Sequence, residues 1–214
     1  IENQTSRRRG CACREGIDAV PDAPESLRAL VAELDRTPPW LDAERIYRDS
    51  RYVSRYSRAA GIVLGAASLV SGYANSAASR PLEMTGRYVE NAGARTIEVG
   101  SWLIAVNQPG GLDRFSDGFE LTVRVRIIHA LVRADLLRRP DWDSAAWGLP
   151  ICQAYLAYTL VEFTLIPLRA MRQVGAPYLP HEVDAAYARW RYLGHLLGID
   201  PSLLPRDAAA QQRL

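Results

Sequence analysis

The chain contains no lysine, and all 26 basic residues among its 214 are arginine. Without a side-chain amine, the protein cannot form a Schiff base, and it has no lysine to contact the phosphates of a nucleotide. These absences exclude pyridoxal-phosphate chemistry and a standard P-loop. The formal net charge of +2 is also too small to indicate a nucleic-acid partner, so we expect none.

Cysteine is scarce as well. Cys11 and Cys13 belong to one CAC triplet, and Cys152 lies far from them in the sequence. This spacing is typical neither of a disulfide framework nor of a zinc site. Three cysteines without a framework fit a reducing compartment, so we predict a cytoplasmic location.

A long uninterrupted hydrophobic run is also missing. The most apolar stretch, residues 149–168, contains Gln153, Glu162 and Pro167, which favours a buried core helix over a membrane span. Contact with a membrane surface is compatible with the sequence, but we expect no span. The arginines at 7–9 are not followed by an apolar segment, so we expect no intact signal peptide.

Apolar residues recur at helical spacing along much of the chain, and no stretch shows the alternation of a strand or hairpin. We therefore predict an all-α fold, a compact multi-helix domain over residues 23–214 that follows a flexible arm at 1–22. Asp22 is expected to cap the first helix, with Pro24 in its first turn. Further helices are predicted at about 42–58, 82–106, 118–138, 150–172 and 182–197, with a last one near Pro205.

The segment TVRVRIIHALVR, residues 122–133, is the most informative part of the sequence. Arg126 precedes His129 by three residues and Arg133 follows it by four, so the three share one helix face. A neutral imidazole is a good iron ligand, and nearby arginines suit an anionic cofactor. His129 could instead be a core histidine with satisfied hydrogen bonds. The arginines could instead pair with acidic residues of the same helix, Glu120 or Asp135.

Several segments together resemble the latex-clearing protein (rubber oxygenase) catalytic-domain family. This family also contains the oxygenase that cleaves the prenyl chain in mycophenolic acid biosynthesis. The VRVR-x-x-HA-x-VR element is the most specific part of the resemblance, which extends over roughly residues 40–208. The supporting segments are WLDAERIYR, ARTIEVGSWL, WGLPICQAYLAYTLVEF and WRYLGHLLGIDPSLLPRD.

The resemblance implies a globin-like helical fold around haem b, with His129 as the proximal ligand of the iron. It implies that Arg126 and Arg133 frame this histidine, and Arg95 matches the arginine of the family's distal helix. Latex-clearing proteins carry lysine and threonine after that arginine, where this chain has Glu98 and Val99.

The implied activity is that of a haem-dependent oxygenase. It would use dioxygen to oxidise or cleave a small apolar alkene-containing substrate, such as a terpenoid, a lipid or a natural-product chain. We expect Arg95 and Glu98 to act in catalysis, with Glu83 as another candidate acid–base residue, and Val99 to contact the cofactor. The alternatives are a non-catalytic haem-binding or lipid-binding protein and a cofactor-free helical interaction protein. The sequence leaves the oligomeric state open.

Overall fold

The computed structural model describes residues 15–47, 57–86 and 92–213. Within these ranges all regular secondary structure is helical and no strand is present. The prediction of an all-α fold is therefore confirmed. None of the helices in these ranges combines the length and the hydropathy that a bilayer span requires.

The helix α3 continues through a π-helical segment, Leu64–Leu69, into α4. The helices are α1 (Glu25–Leu34), α2 (Ala43–Tyr47), α3 (Ser57–Val63), α4 (Val70–Tyr73), α5 (Ser76–Met84), α6 (Ala92–Asn107), α7 (Asp117–Leu136), α8 (Ser144–Trp147), α9 (Gln153–Phe163), α10 (Leu165–Gln173), α11 (Pro180–Leu196) and α12 (Ala208–Gln211).

The helix that carries His129, α7, lies close to its predicted bounds. The side chain of Ser116 caps it by accepting a hydrogen bond from the backbone N–H of Phe119, which satisfies a donor that the first helical turn leaves unpaired. Asp22, in contrast, does not cap α1 as predicted. Asp22 has a positive φ of 53°, and the N-cap residue of α1 is Pro24, which makes no side-chain capping hydrogen bond.

Two predicted helices are divided in the structure. The segment predicted at 150–172 forms α9 and α10, which meet at Thr164, a residue with non-helical dihedral angles. Pro167 explains this break, because it has no N–H to donate to the carbonyl of residue 163. The segment predicted from 82 contains the end of a separate helix, α5. A turn at Gly86, with φ of 68°, follows α5, and the residues between this turn and α6 lie outside the described ranges.

The main core lies where α6, α7, α9 and α11 meet. Three aromatic rings form its centre: Phe163 of α9 stacks on Trp190 of α11 with 4.7 Å between ring centroids. Trp102 of α6 packs edge-on against both rings, at 6.0 and 5.8 Å. Offset and edge-to-face pairs of this kind stabilise a core beyond the burial of their surface. The cluster therefore fixes the position of α6.

A buried arginine in the middle of α11 links the ends of two other helices. Arg189 of α11 is completely inaccessible to solvent. Its guanidinium donates to the carbonyl of Val106 at 3.1 Å and to the carbonyl of Ile46 at 2.7 Å. Both acceptors lie near the C-terminal ends of their helices, where backbone carbonyls lack partners and a positive charge is favourable. Arg189 thus joins α2 and α6 to α11.

Part of the predicted N-terminal arm is described. Residues Ile17–Ala19 form a short 3-10 helix, and Val20 is buried against Val31 of α1. Residues 1–14 lie outside the described ranges, so the flexibility expected of them stays a prediction.

Candidate cofactor and active site

The helices α6 and α7 form an antiparallel hairpin. Close to the connecting loop, the backbones of Gly118 and Ala105 are in contact, and a Cβ atom at Gly118 would lie 2.9 Å from the carbonyl oxygen of Ala105. One turn further from the loop, the indole Nε1 of Trp102 donates to the hydroxyl of Thr122 at 2.9 Å. From the first contact to the second, the residue number falls from 105 to 102 along α6 and rises from 118 to 122 along α7. The two helices are therefore antiparallel.

This register brings the predicted site residues to one level of the hairpin. Glu98 and Val99 precede Trp102 by four and three residues and therefore share its face of α6. His129 follows Thr122 by seven residues and lies on the same face of α7. Seven residues correspond to about 10 Å along a helix axis. Hence His129 lies about 10 Å from the Trp102–Thr122 contact, beside the stretch of α6 that begins near residue 95.

The hairpin is buried at its loop end and open at the level of His129. Val106 and Phe119 near the loop are 0–1% exposed, whereas Ile97 is 71% exposed and Leu131 is 48% exposed. A Cβ atom added at Gly100 would meet no other atom within 4 Å. Large exposed apolar surface is uncommon on a folded protein and often marks a ligand or partner site. The open end of the hairpin is therefore the candidate site.

The predicted site residues differ in exposure. His129 and Val99 are half-buried, and the imidazole Nδ1 atom of His129 is shielded from solvent. Glu98 is exposed on α6. Arg95 belongs to α6, but its side chain lies outside the described part of the structure. Glu83, the other candidate acid–base residue, forms an ion pair with Arg80 at 2.7 Å on the surface of α5.

Arg126 is engaged by two other parts of the chain. Its guanidinium forms a two-point ion pair with Glu33 of α1, with both N–O distances at 3.0 Å. It also packs against Gly198, where an added Cβ atom would lie 2.6 Å from the Arg126 Nε. The alternative partner considered from the sequence, Glu120, is paired with Arg124 instead. Arg126 therefore connects α7 to α1 and to the turn that follows α11.

Arg133 holds the segment that precedes α9. Its Nε donates to the carbonyl of Pro150 at 3.1 Å, and a terminal nitrogen donates to the carbonyl of Ile151 at 2.6 Å. Asp135, the other acidic partner considered from the sequence, lies 3.6 Å from Arg138. Both arginines that flank His129 thus bind protein groups in this structure.

The structure also identifies a buried carboxylate that was not among the predicted site residues. Glu162 of α9 is only 8% exposed, and its carboxylate lies against the backbone of Gly72 in α4, so that a Cβ atom there would overlap Oε1. Burial raises the pKa of Glu162 to about 7. Within the described ranges, no hydrogen bond or ion pair involves this carboxylate.

Polar side chains lie near Glu162, where α9 contacts α4 and the π-helical segment before it. Ser68, one turn before Gly72, is completely buried, and the hydroxyls of Ser71 and Tyr158 are 2.8 Å apart. A single acidic residue within an apolar helix was the available signal in the sequence. That signal could not show which neighbouring helix the carboxylate would face.

The hairpin meets the requirements of a haem in part. His129 is half-buried on α7 beside exposed apolar side chains, and a haem iron needs only one or two such axial ligands from the protein. Among the described residues, no group of three or more His, Cys, Asp or Glu side chains gathers as in a metal site built from protein alone. The arginines fit less well, because both already have partners in the protein.

Comparison with known proteins gives consistent results. A family model described as "ER-bound oxygenase mpaB/B'/Rubber oxygenase, catalytic domain" matches residues 54–214. A rubber oxygenase of Streptomyces sp. (strain K30) is 28% identical over 204 residues, which cover 88% of this chain and 47% of that protein. The chain therefore spans about half the length of this curated relative.

A solved structure reported as that of latex clearing protein in the closed state shares the fold. The TM-score is 0.77 at 20% sequence identity, and the match covers 99% of this chain and 57% of the other. Since the family model covers well over half of the sequence, the chain belongs to the mpaB/rubber oxygenase catalytic-domain family.

Proposed function

We propose that this protein is a haem-b-dependent oxygenase that uses dioxygen to oxidise or cleave a carbon–carbon double bond in an apolar substrate. The observation that carries the proposal is the half-buried imidazole of His129 in the open, apolar end of the α6–α7 hairpin. Membership of an oxygenase family supports the same class of reaction. The substrate class is proposed from the surface of the site.

His129 is the residue that would hold the haem iron. It is the one histidine on the faces that α6 and α7 turn towards each other, and neutral imidazole is a common axial ligand. Val99, half-buried on the facing side of α6, would contact the macrocycle. When bound, haem supplies the redox chemistry of dioxygen, and the protein supplies binding, orientation and electrostatics.

The apolar substrate is inferred from the side chains at the open end of the hairpin. Ile97 lies on α6 at this level, and Ile128 and Leu131 lie one turn apart on α7; all three are strongly exposed. An apolar surface beside the histidine favours contact with a hydrocarbon chain, because the contact removes apolar area from water. A dry site also limits the reaction of activated oxygen species with solvent.

Glu98 is the proposed proton-transfer residue, together with Arg95. Glu98 is on the stretch of α6 that lies beside His129, so its carboxylate can take up or release a proton at the level of the site. Glu162 is a competing candidate, because its raised pKa keeps a fraction of it protonated at neutral pH. Glu162, however, faces α4 rather than the hairpin.

Arg126 and Arg133 are proposed to position the histidine. Each connects α7 to a segment outside the hairpin, and the two contacts lie on either side of His129 along the helix. A direct contact with a haem propionate would require either guanidinium to leave its present partners. In the arrangement described here, they fix the helix that carries the ligand.

A second candidate function is a haem-binding or lipid-binding protein without catalysis. It is favoured by Glu98 and Val99, which stand where the sequence resemblance leads us to expect lysine and threonine. Oxygen uptake discriminates the two candidates. An oxygenase consumes dioxygen with an isoprenoid alkene but not with its fully hydrogenated counterpart, whereas a carrier consumes none with either.

The cofactor assignment is tested by the absorption spectrum of the purified full chain. We expect a Soret band that is lost in His129→Ala and retained in the control variant His181→Ala, since His181 is exposed at the start of α11. Circular dichroism confirms that each variant is folded. An unchanged Soret band in folded His129→Ala would contradict the assignment, and a colourless wild-type protein without iron would support a cofactor-free interaction protein.

A further inference from the structure

A cavity lies away from the α6–α7 hairpin. It has a volume of about 140 Å³ and is formed by the start of α2, one face of α11 and the segment that precedes α12. No residue of α6 or α7 contributes to its walls. Because one water molecule takes up roughly 30 Å³ in the liquid, this volume suits a small ion or a head group rather than a haem or a hydrocarbon chain.

Three arginines line this cavity: Arg45, Arg191 and Arg206. Across the described ranges, none of the three forms an ion pair with a carboxylate. Most other arginines of the structure bind an acidic side chain or a backbone carbonyl, as Arg126 and Arg133 do. A cluster of cations with no anion bound to it is electrostatically unfavourable unless a ligand or solvent ions compensate the charge.

Arg191 is the most constrained of the three. Its guanidinium carbon lies 4.0 Å from the centre of the Trp40 ring, a cation–π contact that fixes the orientation of the group. Its Nε atom is buried and has no hydrogen-bond acceptor in the protein. Burial, and after it the charge of Arg206, lower the pKa of Arg191. The two cations are thus close enough to repel each other.

Asp42 is the one acidic residue in the walls, and it has a local role. Its Oδ1 accepts a hydrogen bond of 3.0 Å from the backbone N–H of Arg45 at the start of α2. Three guanidinium groups and one carboxylate leave a net charge of +2 around the cavity. A monocarboxylate would compensate half of this charge and offers two oxygens to three guanidinium groups, whereas a phosphate dianion matches both the charge and the number of donors.

We propose that this cavity is a binding site for a phosphate dianion, held by Arg45, Arg191 and Arg206 beside the ring of Trp40. The dianion is either free inorganic phosphate or the terminal group of a phosphate monoester. The site is independent of the proposed haem site, so either proposal can fail without the other.

The test is calorimetric titration of the purified full chain with inorganic phosphate at constant ionic strength, with chloride as the reference anion. We expect saturable binding to the wild type, a loss of at least tenfold in affinity in Arg206→Gln, and no measurable binding in the double variant Arg45→Gln/Arg206→Gln. Arg138→Gln is the matched control, because its side chain is 75% exposed at the end of α7, and it should bind phosphate as the wild type does.

One substitution should have the opposite effect. Asp42→Asn removes the negative charge but keeps a side chain that can cap α2, so phosphate affinity should increase several-fold. A methyl phosphate titration separates the two sources of the dianion. Binding equal to or weaker than that of inorganic phosphate identifies the free ion, and tighter binding identifies a monoester.

The proposal is overturned if the wild type shows no saturable phosphate binding, or if Arg138→Gln loses as much affinity as Arg206→Gln. The second result would mean that general surface charge, not this cavity, attracts the anion. The Soret band is measured in parallel and should be the same in Arg206→Gln and the wild type, which keeps this test separate from that of the haem assignment.

Discussion

The carboxylate of Glu162 lies in the space that a side chain at residue 72 would occupy. Gly72 in α4 therefore allows α9 to approach closely, and it does so without a positive φ. The close approach also keeps the carboxylate away from water, and among the described residues no cation lies beside it to compensate its charge.

Gly72→Ala should destabilise the fold, because the new Cβ atom would overlap Oε1 of Glu162 and force the carboxylate or the helix to move. We expect a loss of about 1–3 kcal/mol in the free energy of unfolding, measured by chemical denaturation. Gly65→Ala is the control in the preceding π-helical segment, where a Cβ atom meets nothing within 4 Å. Equal losses in the two variants would show that the contact has no energetic role.

Glu162→Gln should flatten the dependence of stability on pH. The pKa of Glu162 is raised from 4.5 to about 7 in the folded state, so the folded protein binds more protons than the unfolded chain between these values. This stabilisation is fully present below pH 4.5 and is lost as the pH rises to about 7, by at most about 3 kcal/mol.

The measurement is the thermal midpoint of the wild type and Glu162→Gln at pH 5 and pH 8. The wild type should lose more stability than the variant between the two pH values. Glu98→Gln, which removes an exposed carboxylate, is the matched control and should follow the wild type. A variant at residue 162 with the same pH dependence as the wild type would show that this group does not titrate in the range.

Gly198→Ala should be more harmful than the same change at Gly175. Both glycines have φ of 78°, so each substitution incurs the strain of a left-handed conformation, about 1 kcal/mol. Only at Gly198 would the Cβ atom also displace the guanidinium of Arg126 from Glu33. We expect an additional loss of about 1–2 kcal/mol there, measured by denaturation. Losses of the same size would mean that Arg126 adapts without cost.

Glu98→Gln should slow substrate-dependent oxygen uptake if Glu98 transfers protons. General acid–base catalysis typically contributes 10²- to 10⁴-fold, so a fall in kcat of about this size is expected with the Soret band unchanged. Glu162→Gln is the comparison variant and should keep most of the activity. The reverse result, with activity lost only at residue 162, would move the proton-transfer role to the buried carboxylate.

The sequence was sufficient to predict the helical class and the helix that carries His129, because local signals define both. The N-cap Ser116 and Pro140 lie close to the two ends of α7, and the apolar periodicity leaves no strand pattern. The division at Thr164 was missed because a proline in a first helical turn and a proline that interrupts one long helix give the same sequence pattern.

The partners of Arg126 and Arg133 could not be predicted from local spacing. Glu33 is 93 residues from Arg126 in the sequence, and Arg133 binds backbone carbonyls, which every residue has. The role of Glu162 was hidden for a similar reason, because its environment is set by a glycine on a distant helix. The predicted site residues themselves depend on a bound cofactor, and their roles stay predictions until the spectrum is measured.

Gly118 and Ala105 meet backbone to backbone at the closed end of the α6–α7 hairpin. This contact involves the backbone of both residues, and Gly118 is already the smallest residue, so no smaller side chain could bring the two helices closer together. A larger side chain at residue 118 would also separate α6 from α7 at the level of His129, which lies about 16 Å further along the helix. Related enzymes that accept bulkier or slimmer molecules should therefore differ in the residues at the open end of the hairpin, while the residues at the Gly118–Ala105 contact stay small.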